Sequence, residues 1–335
     1  MISNNKFYIK DLKNIIFIGK TSIFDDLILI NKKNNLKSFI ITSSDQAKHI
    51  SKKIPFKIFN EVDSKFKNYI KAKVNLENTL FISLGSRIIF SSKEINDFFK
   101  NNLINVHPTM LPFNAGAGHF SWKILMGDKI DIQLVHLINE KIDSGPIIKS
   151  EKSIFPNSSK TPADYEKVFL VNFLSFYLDL IREIKKGKKF ELKHQPDYIG
   201  SYIPKLNTIK NGLINWQLDP DELYRFICAF DDPYEGASTC LNTIPQKKVF
   251  LKDVYLHNGN TPTHSFMAGL ISRIDKDWIE VCIKNNNVLL IKKIIDVKGK
   301  NIIKNLKVGD RFFTPAQDLE NSLSFRAKYT SRGLK

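Results

Sequence analysis

Cysteine is scarce in this chain: Cys228, Cys240 and Cys282 are the three among 335 residues. An odd number without metal-like spacing argues against a disulfide framework or a zinc site, and reads as small buried hydrophobes. Long apolar runs are missing too. Ile15-Ile16-Phe17-Ile18 is among the longest, far short of the roughly 20 residues a membrane helix needs. Residues 1–10 mix Asn, Lys and Tyr without the apolar core of a secretion signal. The expected setting is therefore the cytoplasm, where the Asn157-Ser158-Ser159 sequon carries no meaning. A Gly-x-Gly-x-x-Gly is also lacking. Phe17-Ile18-Gly19-Lys20-Thr21-Ser22 offers one glycine where a dinucleotide site wants three. The small-residue loop Ala115-Gly116-Ala117-Gly118 lacks the strand–helix context, so NAD binding is disfavoured. No internal repeat or low-complexity tail is evident.

Acid is in short supply relative to base, with 34 Asp and Glu against 51 Lys and Arg and a formal net charge of +17. Such a balance draws polyanions. The lysines, however, are spread along the whole chain, so the charge points only weakly to an anionic substrate. The cluster Lys185-Lys186-Gly187-Lys188-Lys189 reads as the solvated end of a helix. The apolar fraction of 42% is ordinary for a globular protein, and the length suits two domains.

The first half alternates apolar strands with helical segments. Strands are expected at 14–18, 37–42, 56–59, 79–84, 103–106 and 131–138, with helical spacing at 24–32 and 92–99. This alternation predicts an α/β domain with a mainly parallel, Rossmann-like sheet, whose ligands bind beyond the carboxyl ends of the strands. Thr161-Pro162-Ala163-Asp164 opens a long helix to about 186, through a capping box and a proline in the first turn. Phe169, Phe173, Phe176 and Leu180 lie at helical spacing on it, as core. From Leu192 the character changes. A helix at 219–230 precedes short β-type runs at 249–255, 269–274, 278–284 and 288–296, with Asn285-Asn286-Asn287 as a hairpin turn. These predict a small β-barrel. The expected division is 1–204 and 205–335.

Residues 105–146 carry the chemistry. They read Asn105-Val106-His107-Pro108-Thr109-Met110-Leu111-Pro112, then a Gly/Ala loop, Trp122, Gly127-Asp128, and Asp143-Ser144-Gly145-Pro146. Acyl transfer to an amine needs a donor to the developing oxyanion, a base near neutral pH and a group that orients the base. Asn105 and His107 alternate on an extended chain, so both emerge on one side. A protonated His107 would help hold the oxyanion; a neutral one would accept the amine's proton. Asp143 would orient it, as the acid does in a triad. Leu111-Pro112 suits a rigid or cis-containing turn.

The order Asn-x-His-x-x-x-Leu-Pro … Asp-x-Gly resembles the active site of the 10-formyltetrahydrofolate-dependent formyltransferases. Methionyl-tRNA, glycinamide-ribonucleotide and sugar N-formyltransferases share it. The resemblance covers about 14–315, including Asn211-Gly212-Leu213-Ile214-Asn215-Trp216 and Phe230-Asp231-Asp232-Pro233-Tyr234. It implies a formyltransferase fold followed by an OB-like barrel, Asn105, His107 and Asp143 as catalytic residues, 10-formyltetrahydrofolate as formyl donor, and no metal. It places the folate pocket at 84–90 and 138–143, with Ser86, Ile88, Ile89, Phe90, Ile138 and Asn139 as candidates. Two departures favour a nucleotide-linked amino sugar as acceptor. Only Ser43-Ser44-Asp45-Gln46 stands where tRNA enzymes carry a basic insertion. The usual Tyr-Arg-Gly after Leu-Pro is replaced by a loop flanked by Phe113, His119, Phe120 and Trp122. Phe113 and His119 are the candidate acceptor contacts, whereas Trp122 is expected to pack inward. Methionyl-tRNA is the alternative acceptor. A homodimer stays open, and no membrane partner is expected.

Overall fold

The computed structural model describes residues 5–117, 120–196, 199–242, 244–327, 329–330 and 333–334. Seven strands form the larger sheet: β1 (Asn14–Gly19), β2 (Lys37–Thr42), β3 (Lys57–Ile58), β4 (Thr79–Leu84), β5 (Leu103–His107), β6 (Ile130–Leu137) and β7 (Ile147–Ile154). Their spatial order is β3-β2-β1-β4-β5-β6-β7. The first five run parallel, β6 runs antiparallel to β5, and β7, antiparallel to β6, points the way of the first five. The sheet is mainly parallel as expected, but mixed, with β6 opposed to the rest. A short connection accounts for the β6–β7 pairing. β6 reaches β7 through the short turn 138–146, which can join only antiparallel neighbours.

β1 and β4 are buried along their whole length, as apolar runs with both faces covered must be. The helices α1 (Phe24–Lys33), α2 (Ser64–Lys73) and α4 (Pro162–Lys185) pack on the sheet, and α3 (Phe120–Met126) lies beside the motif. α4 begins in the expected capping box: Thr161 and Asp164 satisfy each other's backbone N–H groups. Its Phe169, Phe173, Phe176 and Leu180 join Phe17 and Ile82 in the largest core cluster. The segment expected as a helix at 92–99 is helical throughout, with Glu94–Phe99 wound as a π-helix. α2 escaped the sequence reading because Phe66 and Ile70 are its only two buried residues.

The second half is an antiparallel sheet led by α5 (Pro220–Ala229). Its strands β8 (Ala237–Leu241), β9 (Ile244–Asn258), β10 (Ile271–Ile274), β11 (Ile279–Cys282), β12 (Asn287–Asp296) and β13 (Phe312–Phe313) lie in the order β10-β11-β12-β9-β8-β13. The edges beside β10 and β13 meet at a bridge between Leu270 and Arg311, so the sheet curls toward a barrel. Asn285 and Asn286 take the left-handed conformation at the hairpin, as the Asn run predicts.

This barrel is docked rather than tethered. Ile124, Phe155 and Tyr165 from the first half share one core with Trp216, Leu223, Ile227 and Leu251. Arg225 Nε donates to the Leu125 carbonyl at 3.2 Å. Asp231 is buried and accepts the Asp253 N–H at 2.8 Å, which makes 231–234 a structural turn. Beneath the contact lies Lys123, only 1% exposed, whose Nζ donates to Asp128 Oδ2 and to the Ile130 carbonyl, both at 2.8 Å. The Gly127-Asp128 landmark thus neutralises a buried ammonium. No helix among the described residues is long and apolar enough to cross a membrane.

Asp128→Ala would leave that ammonium buried and unpaired. It is expected to destabilise the protein by about 3 kcal/mol, read from the urea midpoint. Lys123→Met, which removes the charge itself at similar volume, should cost clearly less.

Candidate active site

The site forms where the sheet changes direction. Asn105 and His107 lie on β5, the last of the five successive parallel strands. Asn105 is paired in register with His136 on antiparallel β6. Directly opposed residues project to the same face, so Asn105, His107 and His136 all rise on one side. Asp143 comes from the turn after β6 and takes the left-handed conformation, with φ of 51°, which aspartate tolerates better than most residues. Gly145 is required two residues later. A Cβ there would lie 1.7 Å from the Leu137 carbonyl oxygen. The same carbonyl receives His136 Nδ1 at 2.8 Å. Turn and histidine are thus locked together.

The three expected catalytic residues do come together. Asn105 Nδ2 donates to His136 Nε2 at 3.2 Å and reaches Asp143 Oδ1 at 3.5 Å. Asp143 Oδ2 accepts the Gly116 N–H at 2.8 Å. His107 Nδ1 stands 3.7 Å from Asp143 Oδ1, beyond hydrogen-bond length. Its ring is oriented instead through Nε2, 3.2 Å from the Asn114 carbonyl, which Thr109 also engages at 2.7 Å. Gly116 permits this packing, because a Cβ there would meet Tyr202 at 2.6 Å. The Leu111–Pro112 peptide is cis.

Burial sets the electrostatics. His107 is 3% exposed. Desolvation lowers its pKa, with Asp143 opposing and His136 adding to the fall. The ring is therefore neutral at neutral pH, which favours the base over the oxyanion-holding cation. Burial alone would raise the Asp143 carboxyl. The His136 side chain, the neighbouring His107 and the Gly116 N–H outweigh it and hold the carboxyl down to about 2.

A cleft of about 320 Å³ opens over these groups, lined by Asn105, His107, Asp143, Gly116, Phe120, Ser83, Gly85 and Ser86, with Lys20 and Thr21 among its further walls. Of the candidate folate residues, Ser86 faces this cleft. Ile88 and Phe90 sit in a core cluster against Phe99, with Ile138 packed on it. Ile89 is 63% exposed, and Asn139 accepts from Ser144 Oγ at 2.9 Å. Phe113 is exposed, and His119 lies outside the described residues. Trp122 packs inward as expected, its indole donating to the Pro204 carbonyl at 2.8 Å. Sequence reasoning missed His136. The available signal was an imidazole alternating with apolar residues in the buried run Leu134-Val135-His136-Leu137.

Asn105→Ala and His107→Ala are each expected to lower turnover by roughly 10² or more with the fold intact. Circular dichroism beside a turnover assay checks this. Because His107 is held neutral, the acid limb of kcat/KM should lie below pH 6.5; a limb above that value counts against a buried base. Asp143 has its folded pKa depressed, so its stabilisation is present above the unfolded value near 4. It is lost as pH falls toward 2. Wild-type protein should shed about 2 kcal/mol across that window relative to Asp143→Asn, measured by denaturant melts.

Two family models match, Formyl transferase over residues 13–169 and Formyl transferase, C-terminal domain, over 208–307. The methionyl-tRNA formyltransferase of Mycoplasma genitalium is 28% identical over 249 residues, covering 71% of this chain and 74% of that protein. Among solved structures, the N-formyltransferase of Helicobacter canadensis, in complex with folinic acid and dTDP-3-aminofucose, superposes with a TM-score of 0.62. It is 18% identical, over 84% of this chain and 99% of that one. The sugar 3N-formyl transferase WlaRD, solved with dTDP and 5-N-formyl-THF, gives 0.61 at 17% identity, over 86% and 98%. With both of the family's domains matched in order and the motif residues Asn105, His107 and Asp143 gathered in one cleft, the chain belongs to the formyltransferase family and is an N-formyltransferase, the family's formyl donor being 10-formyltetrahydrofolate.

Proposed function

We propose that this protein transfers a formyl group from 10-formyltetrahydrofolate to the amine of a nucleotide-linked amino sugar, as a cytoplasmic enzyme. The donor supplies an electrophilic carbonyl carbon. Asn105 donates to the charge that grows on the formyl oxygen as the amine attacks. His107 accepts the amine's proton at Nδ1, and Asp143 beside it stabilises the resulting cation; collapse of the tetrahedral intermediate then breaks the bond from the formyl carbon to N10, and the proton passes from His107 to N10 as tetrahydrofolate leaves. Ser86, Gly85 and Ser83 supply polar groups along the cleft for the pterin edge, and the folate reading of Ile88, Ile89, Phe90, Ile138 and Asn139 rests on the family resemblance. The barrel, which we read as OB-like, orients the first half through the shared core.

The observation that carries the acceptor is a cation in the wall of the cleft. Lys20 lines it. Lys205 lines a separate pocket with Ala117, Ser121 and Trp122; burial lowers its pKa, and the charges of Arg87 and Lys20 lower it further. Arg87 is paired with Asp45, while Lys20 and Lys205 have no acidic partner among the described residues. An uncompensated ammonium in the wall of a small cleft, with the positive charge of Lys205 and Arg87 in electrostatic reach, suits a compact diphosphate. β2 runs into a short 3-10 turn, Ala47–His49, with no long basic insertion before β3. Methionyl-tRNA is the second reading, favoured by relatives of that name.

The test is direct. The protein, given 10-formyltetrahydrofolate, is assayed with a panel of nucleotide amino sugars and with charged initiator tRNA. Formylation of a sugar nucleotide with a modest salt effect is expected, and Lys20→Ala or Lys205→Ala should raise its KM about tenfold. Formylation of tRNA alone, with affinity falling steeply with salt, would overturn the sugar reading.

A further inference from the structure

Both imidazoles of the site are anchored at the atom pointing away from Asp143. His107 Nε2 lies 3.2 Å from the Asn114 carbonyl, and His136 Nδ1 lies 2.8 Å from the Leu137 carbonyl. A carbonyl only accepts, so each of these nitrogens carries a hydrogen. In the neutral rings the lone pairs then sit on His107 Nδ1 and His136 Nε2. Both face Asp143 Oδ1, at 3.7 and 3.6 Å. Asp143 is anchored in the same way. Its Oδ2 takes the Gly116 N–H at 2.8 Å, leaving Oδ1 toward the rings.

Electron-rich donor atoms of all three residues thus gather within 4.8 Å. The Asn105 amide hydrogens offset part of their mutual repulsion. Inward lone pairs with the opposite N–H tied to backbone is also how proteins hold metal-binding histidines. At metal–ligand lengths of about 2.0–2.2 Å, tetrahedral ligand atoms stand about 3.4 Å apart. The two imidazole–carboxylate separations, 3.6 and 3.7 Å, are close to this, and the two ring nitrogens, within 4.8 Å of each other, would close further on the ion. Two imidazole nitrogens and one carboxylate oxygen form a zinc-type donor set, with a fourth position open to the cleft.

We propose that His107 Nδ1, His136 Nε2 and Asp143 Oδ1 bind one divalent transition-metal ion, zinc above all, as an inhibitory site. The ion would occupy the lone pair that accepts the amine's proton and would draw Asn105 off His136. Metal binding stands independently of the acyl-transfer reading; only the inhibition rests on it.

The full-length protein is stripped with chelator and titrated with Zn²⁺ by calorimetry and with Co²⁺ by visible absorption. One equivalent of zinc should bind, and cobalt should give the intense bands of a low-coordinate site. His136→Gln and Asp143→Asn should each weaken binding by at least about 100-fold. Substitution of an exposed histidine, His257→Gln, should leave it unchanged. Circular dichroism confirms the fold of each variant. Absence of a stoichiometric site in the wild type overturns the proposal whatever the variants do. So does binding that persists in both His136→Gln and Asp143→Asn, or that is lost in His257→Gln. Zinc should also stop formyl transfer at the same midpoint, with chelator restoring it. Binding without inhibition would overturn the inhibitory role and leave the site.

Discussion

One buried carboxylate organises this site. Asp143 sits between two imidazoles, an amide and the Gly116 N–H, and its charge is tolerable only because these groups surround it. That requirement reaches outward. It fixes the left-handed turn at Asp143, the glycine at 145 that clears the Leu137 carbonyl, and the Asn114–Gly116 strand that supplies the N–H. Moving any of these would leave the charge under-solvated.

The same carboxylate depends on a reversal in the sheet. Here β6 runs antiparallel, so its neighbouring residues oppose Asn105 and His107 directly, and its short exit turn returns Asp143 to the same end. The one opposed strand in this mainly parallel sheet and the assembly of the site are one fact. Gln195 reinforces the turn from the far side, donating to the Asp143 carbonyl at 2.9 Å and the Gly145 carbonyl at 2.6 Å.

Chemistry and recognition fall on different elements. Asn105 and His107 stand on a rigid strand and Asp143 on the short turn after β6, whose geometry packing enforces. Lys20 and Arg87 come from the loops after β1 and β4, and Lys205 from the linker before the barrel. Such loops can vary while the acyl-transfer centre stays fixed, which is how one scaffold serves different amines. The shared core beneath α3 and α5 holds that linker in place.

Local physics was legible in the chain. Apolar runs marked most strands of the larger sheet, the Thr161–Asp164 box marked the start of α4, and the Asn run marked a hairpin, because each rests on interactions between near neighbours. The motif itself named Asn105, His107 and Asp143, since alternation on one strand and a tight turn are local features. What lay beyond reading was register. That His136 opposes Asn105, that His107 is held by the Asn114 carbonyl rather than by Asp143, and that Ile88 and Phe90 enter the core all depend on pairings between distant segments. So does the place of Lys20 in the wall of the cleft. Strand pairing and helix docking are set by the summed burial of the whole chain, and only the tertiary structure carries out that sum.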